Sequence, residues 1–189
     1  MKNVILSIFT IAALMSITAC NEPADTYNDG SETGKLILRI TDDPFNISFV
    51  ESANVLITKI EIRKAGDSEE NPFILLSEDT ITLDLLTLRN GITEELVNIE
   101  IPKGEYDLVR LYVDEASLTI TDQPVPFNVK VPGGSQTGIK IFIDPALTIE
   151  GGLTSELLLD FDLSKSFVMR GNLKNSHGIN GFIFKPSIR

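Results

Sequence analysis

Through most of the chain apolar residues fall on every second position, the period of a strand with one buried face. In "GKLILRIT" this sets Leu36, Leu38 and Ile40 on one side, and in "NVLITKIEIRK" Leu56, Ile60 and Ile62 stand opposite Lys59, Glu61 and Arg63. "TITLDLL" aligns Ile81, Leu83 and Leu85, "PFNVKV" aligns Phe127, Val129 and Val131, "GIKIFID" aligns Ile139, Ile141 and Ile143, and "GFIFKPSI" carries Phe182 and Phe184. Each predicts a half-buried strand. Two further runs, "YDLVRLYV" and "ELLLDFDL", are apolar on both faces and predict central strands of a sheet. Past the first 33 residues no stretch combines the length and the 3.6-residue period of a core helix.

Between these runs lie "AGDSEENP", "RNG", "PKGE", "TDQP", "PGG", "EGG" and "HGING", turn-forming clusters at the spacing of an all-β sandwich. The connections are too short for the crossovers of about a dozen residues that parallel βαβ units require. The pattern therefore predicts one all-β domain over 34–189, an antiparallel two-sheet β-sandwich of immunoglobulin-like or transthyretin-like shape.

The beginning of the chain follows a different rule. Lys2 is followed by "VILSIFTIAALMSITA", and no charge appears again until Glu22. The run falls short of the roughly 20 apolar residues of a membrane-spanning helix and has the form of a signal peptide over 1–19. Ile17, Thr18 and Ala19 directly before Cys20 resemble the lipobox of bacterial lipoproteins, in which the cysteine is acylated and becomes the first residue of the mature chain. Cys20 is the only cysteine, so no second thiol exists to resolve a redox role, and lipid attachment is the reading. Two or more acyl chains hold a protein stably on a bilayer.

After it, "NEPADTYNDGSETG" holds acidic residues, no basic one and little apolar surface, which predicts a flexible acidic tether over 20–33. As a random coil it spans roughly 20 Å. Asn21 is compatible with onward transport to the outer membrane, as in lipoproteins generally. The nearby acidic residues resemble signals for surface display, interrupted here by Pro23 and Ala24. The expected location is the cell envelope, on the periplasmic side of the outer membrane or on the cell surface.

A formal net charge of −11 and a pI near 4.5 exclude nucleic acid as a natural partner, because such a field repels phosphate backbones. Envelope proteins and neutral glycans remain open as partners. No cofactor motif stands out.

Six blocks carry a family resemblance: "GKLILRITDDP" from Gly34 to Pro44, "DLLTLRNG" from Asp84 to Gly91, "PKGEYDLVRL" from Pro102 to Leu111, "VPGGSQTGIK" from Val131 to Lys140, "DFDLSKS" from Asp160 to Ser166, and the closing "FKPSIR". In this order they resemble the bacterial domain-of-unknown-function family numbered 4382, over nearly the whole domain. The resemblance implies a lipoprotein-borne β-sandwich and implies no chemistry.

Candidate chemistry centres on "DFDLSKS". On a strand Asp160 and Asp162 share a side, about 7 Å apart by strand rise, while Phe161 points to the core. Two like charges so placed call for a counter-charge. Arg110, on the other doubly apolar strand, supplies one as a structural ion pair, and Lys140 or Lys185 are alternatives. A calcium ion held by Asp160 and Asp162, with Ser164 or Asp42 adding oxygen, is the second reading. EF-hand spacing is absent, since Lys165 and Gly171 stand where that loop needs Gly and Glu. A carboxylate-based hydrolase is the third, and it requires one acid with a raised pKa in an apolar cleft.

The other candidates are thinner. "PGGSQTG" lacks the Lys-Ser/Thr pair of a phosphate loop and does not frame Ser135 as G-x-S-x-G, so it reads as a tight turn. His177 is the sole histidine, too few for the usual zinc site, and a triad with Ser135 or Ser176 is a matter of geometry that spacing does not give. Trp is absent, which leaves Tyr106 and Tyr112, both on strands, as weak support for a sugar platform. The expectation is a noncatalytic binding or structural envelope module, with a calcium-dependent glycan or protein binder and a hydrolase as alternatives.

Overall fold

The computed structural model describes residues 30–42, 48–66, 72–171 and 178–189, with only the backbone at Pro124. Cys20, Ser176 and His177, named above, lie outside the described residues, as do 1–29. In chain order the elements are β1 (Thr33–Asp42), β2 (Val50–Lys64), β3 (Phe73–Ser77), β4 (Ile81–Asp84), a 3-10 turn at Leu85–Leu88, β5 (Glu94–Pro102), β6 (Gly104–Ile120), β7 (Gln123–Val129), β8 (Ile139–Ile149), β9 (Thr154–Phe161), the one-turn helix α1 (Leu163–Ser166), β10 (Phe167–Gly171) and β11 (Ile179–Phe184).

The larger sheet is built on the two long strands β2 and β6, paired antiparallel along nearly their whole lengths. β4 and β3 succeed one another along the free side of β2, and β8 and β7 do the same along β6. The smaller sheet has the order β5-β1-β9, and β10 and β11 form a separate pair. Leu36, Leu38 and Ile40 from the smaller sheet and Ile60, Ile62, Val109 and Leu111 from the larger one belong to a single buried cluster. Burial of each such side chain contributes roughly 1.5–3 kcal/mol. The fold is all-β and sandwich-like, with no closed barrel.

Three features depart from the sequence reading. The inward residues of β2 are Ala53, Val55 and Ile57, then Ile60 and Ile62, while Leu56 is only half-buried. Shifts in the pairing with β6 fall on both sides of Ile57, and the extra residue of a bulge exchanges the faces of a strand. Alternation counted straight through the bulge places Leu56 on the wrong side. Second, β1 pairs with β9 in parallel, so the sheets are not wholly antiparallel. No hairpin joins these distant strands, and their direction is set by the end at which the chain returns.

Third, "ELLLDFDL" is not central. β9 pairs along its length only with β1, and the segment Ser187–Arg189 meets just its last residues. Leu158 is 48 % exposed and Phe142 of β8 is 69 % exposed. An open groove of about 280 Å³ separates β8 from β9, with Ile141, Ile143, Leu157 and Leu159 in its walls. Leu158, the apolar outward residue of β9, thus lies at a seam, beside the inward Leu157 and Leu159. "YDLVRLYV" does lie centrally, inside β6 between β2 and β8.

β1 runs from one end of the sandwich to the other, roughly 30 Å by strand rise. At its start Thr33 O accepts from Gly152 N at 2.9 Å, and Lys35 N donates to Leu153 O at 2.8 Å. Gly34 is required there, since a Cβ would collide with the Glu150 carbonyl. At its other end stands Asp42, in register with Phe161.

Candidate functional site

The end of the sandwich reached by β1 and β9 gathers three carboxylates. Parallel pairing sets Thr41 beside Asp160 and Asp42 beside Phe161, and the chain then leaves β9 through Asp162 into α1. Phe161 is buried and stacks on Phe184 with ring centroids 6.2 Å apart, and Phe184 also packs on Phe167 at 4.8 Å. This aromatic packing fixes the backbone that carries the two aspartates. Ser187–Arg189 closes the corner as a short antiparallel strand: Asp160 and Arg189 exchange N–H···O bonds of 2.7 and 3.0 Å, and Asp162 N donates to Ser187 O at 2.9 Å. Buried Ser166 ties α1 to the same strand, its hydroxyl accepting from Ser187 N at 2.9 Å.

Each aspartate is held differently. Asp160, at the surface, accepts from Arg189 Nε and Nη2, both at 2.8 Å. Asp162 is 4 % exposed and caps α1: its Oδ1 accepts from Ser164 Oγ at 2.6 Å and from Lys165 N at 3.0 Å, and its Oδ2 pairs with the Lys165 ammonium. Burial works against the Asp162 charge, but the bonds from Lys165 and Ser164 outweigh it and hold the carboxyl down at about 2. Asp42, 3 % exposed, accepts from Leu163 N at 3.1 Å through Oδ1, while its Oδ2 is buried with no hydrogen-bond partner among the described residues. Burial pushes its carboxyl up to about 7; the Asp160 and Asp162 charges add to that push, while the Leu163 N–H and Arg89 oppose it.

The expected ion pair between Arg110 and these aspartates is not what forms. Arg110 lies on the outer face of the larger sheet, opposite Glu61 in the β2–β6 register. Its Nη1 donates to Glu61 Oε2 at 3.2 Å and to Tyr112 Oη at 3.1 Å, and its guanidinium sits 3.5 Å over the Phe73 ring. Arg189 and Lys165 are the counter-charges instead. Lys165 was legible as a residue three places after an N-capping Asp; Arg189 required knowledge of the closing strand.

The oxygens named for the alternative calcium reading are largely engaged within the chain. Both Asp162 oxygens and one of Asp160 are engaged by donors within the chain, and among the described residues no three His, Cys, Asp or Glu side chains come together in a way suited to a metal ion. Ser135 lies in the loop between β7 and β8, where Gly133 O accepts from Thr137 N at 2.8 Å and Gly138 N at 3.0 Å. That loop turns through Gly133 at φ 69° and is longer than the tight turn expected.

Fold and corner together define an all-β, sandwich-like domain whose strand ends are fastened by ion-paired aspartates. The family described as Domain of unknown function (DUF4382) matches residues 33–186, and the chain belongs to it. No curated protein and no solved structure matches.

Proposed function

We propose that this protein is a lipid-anchored envelope module: Cys20 carries the lipid, the acidic tether spaces the domain from the outer membrane, and the sandwich serves as a noncatalytic binding or structural unit. The observation that carries this reading is the Ile17–Cys20 run at the end of an apolar signal in a chain with no other cysteine. In this reading the chain enters the domain from the tether at the Thr33 end of β1, and the aspartate corner at Asp42 lies a full strand length from it.

Support for a noncatalytic role comes from the pairing of the acids. Asp160 and Asp162 are neutralised by Arg189 and Lys165, and Asp42, the carboxyl with the raised pKa, is buried rather than set in an open cleft.

The test is metabolic labelling with radioactive palmitate followed by membrane fractionation. The wild-type chain should take up label and sediment with the outer membrane, and Cys20→Ala should do neither. An unlabelled wild-type chain would end the anchored reading. Protease shaving of intact cells separates the two faces, since only a surface-displayed domain is lost. Capture of envelope proteins by the acylated form and by a soluble form lacking Cys20 locates binding in the sandwich if both retain the same partner.

A further inference from the structure

The Asp42 Oδ2, without a hydrogen-bond partner among the described residues, lies at the end of β1 beside the first residue of α1, and the closing Ser187–Arg189 segment, on the opposite edge of β9, is tied to α1 through Ser166. We infer that this corner is a proton-operated latch, in which a proton on Asp42 keeps α1 and the Ser187–Arg189 strand seated on the end of β9 and its loss loosens them. The latch is independent of the lipid anchor.

The geometry supports it in three ways. The Asp42 side chain is closed off from water, and among the described residues its Oδ2 has no hydrogen-bond donor to balance a negative charge. The charged groups that face it are Asp160 from β9, Asp162 at the N-terminus of α1, and Arg89 from the residue after the 3-10 turn. Lys165 and Arg189 are engaged with Asp162 and Asp160, while Asp42 has only the Leu163 N–H and the more distant Arg89 among the described residues. An ionised Asp42 is therefore a third, under-compensated charge.

The way to rehydrate it is also visible. α1 is a single turn seated by the buried Leu163, and the closing segment rests on the Phe161–Ile188 bridge, a few hydrogen bonds and the packing of Ile188 against the core. Withdrawing these pieces opens Asp42 to solvent without disturbing the long β2–β6 pairing. The raised carboxyl of Asp42, near 7, agrees with this arrangement. Because the opened form releases the proton and the closed form retains it, opening grows roughly tenfold per pH unit up to about pH 7 and levels off above that.

The test is amide hydrogen exchange on the full chain in detergent, from pH 5 to 8.5, with each rate divided by its intrinsic value. For the wild type, opening at the Asp162, Leu163 and Arg189 amides should rise roughly tenfold per pH unit to about pH 7 and then level off. These amides should be less protected than those of the β2–β6 pairing at every pH, as local opening requires. Asp42→Asn should remove the slope. Asp160→Asn, which takes away one repelling charge, should move the levelling-off point to lower pH. Corrected exchange that is flat in the wild type, corner protection equal to that of the β2–β6 amides, a slope that survives Asp42→Asn, or a point that Asp160→Asn leaves unmoved would each overturn the latch.

Discussion

Two carboxylates in this domain are each shielded from water and each close to other charges, yet their acidities move in opposite directions. Glu61, on the outer face of the larger sheet, receives the Lys59 ammonium at 3.0 Å, the Tyr112 hydroxyl at 2.9 Å and the Arg110 guanidinium at 3.2 Å. Burial opposes its charge, but these donors outweigh burial and hold its carboxyl below the ordinary value. Asp42 receives one backbone N–H and looks toward two further carboxylates, and its carboxyl rises to about 7. Burial alone does not set the sign of the shift; the number and charge of the donors brought by neighbouring strands decide it. On the outer face two cations cover Glu61, and the atom left without a partner among the described residues is a donor, Arg110 Nε, whereas the corner has one more acid than its paired bases cover.

Breaking the support of the corner should have the largest effect. Phe161→Ala removes the ring that packs on Phe184 and holds the backbone between Asp160 and Asp162, with an expected loss of about 3–5 kcal/mol in urea denaturation. Next comes Asp42→Asn. The unfolded carboxyl titrates near 3.8 and the folded one near 7, so the folded state binds the extra proton between those values and wild-type stability falls as pH rises through that window. The variant should therefore be more stable than the wild type at pH 8, on the order of a few kcal/mol, and should match it below pH 4. Equal urea midpoints at pH 8 would contradict the raised pKa of Asp42.

Asp162→Ala tests the paired acid in the same corner and has the opposite sign. Loss of the cap on α1 should cost about 1 kcal/mol at neutral pH. Since the folded Asp162 titrates near 2 against 3.8 unfolded, its contribution is present above 3.8 and is lost as pH falls through the folded value. The smallest change is expected for Glu61→Gln on the outer face, where Tyr112 still finds an acceptor, and thermal melts should show a loss within about 1 kcal/mol.

The two regions also differ in how much of them the sequence displays. Lys59, Glu61 and Arg63 alternate with Ile60 and Ile62 on one strand, so the polar outer face is visible in the pattern, and Arg110 follows once β6 is placed beside β2. The strands themselves announce their period of two, apart from the bulge at Ile57, where a single extra residue reverses the faces and misplaces Leu56. The corner is harder to foresee. "DFD" shows two acids close together, and Asp42 is named beside them only as an optional oxygen donor; it arrives from β1 through a parallel pairing that no local turn encodes, and Arg189 arrives from a segment bridged to β9. Long-range pairing between distant segments leaves no periodic trace, which is why Arg110 was a reasonable counter-charge on sequence grounds and the wrong one in space. The apolar Leu158 on the outer side of β9 misled for a related reason: it lines an open seam with β8, and apolarity alone does not tell a covered strand from an edge.

The central claim, that donor supply rather than burial separates the three acids, is tested most directly by following their carboxyl-carbon chemical shifts in one sample from pH 2 to pH 9. The account predicts a midpoint near 7 for Asp42, one near 2 for Asp162 and one below the ordinary glutamate value for Glu61. A titration of Asp42 near pH 4, alongside an ordinary Asp162, would contradict it.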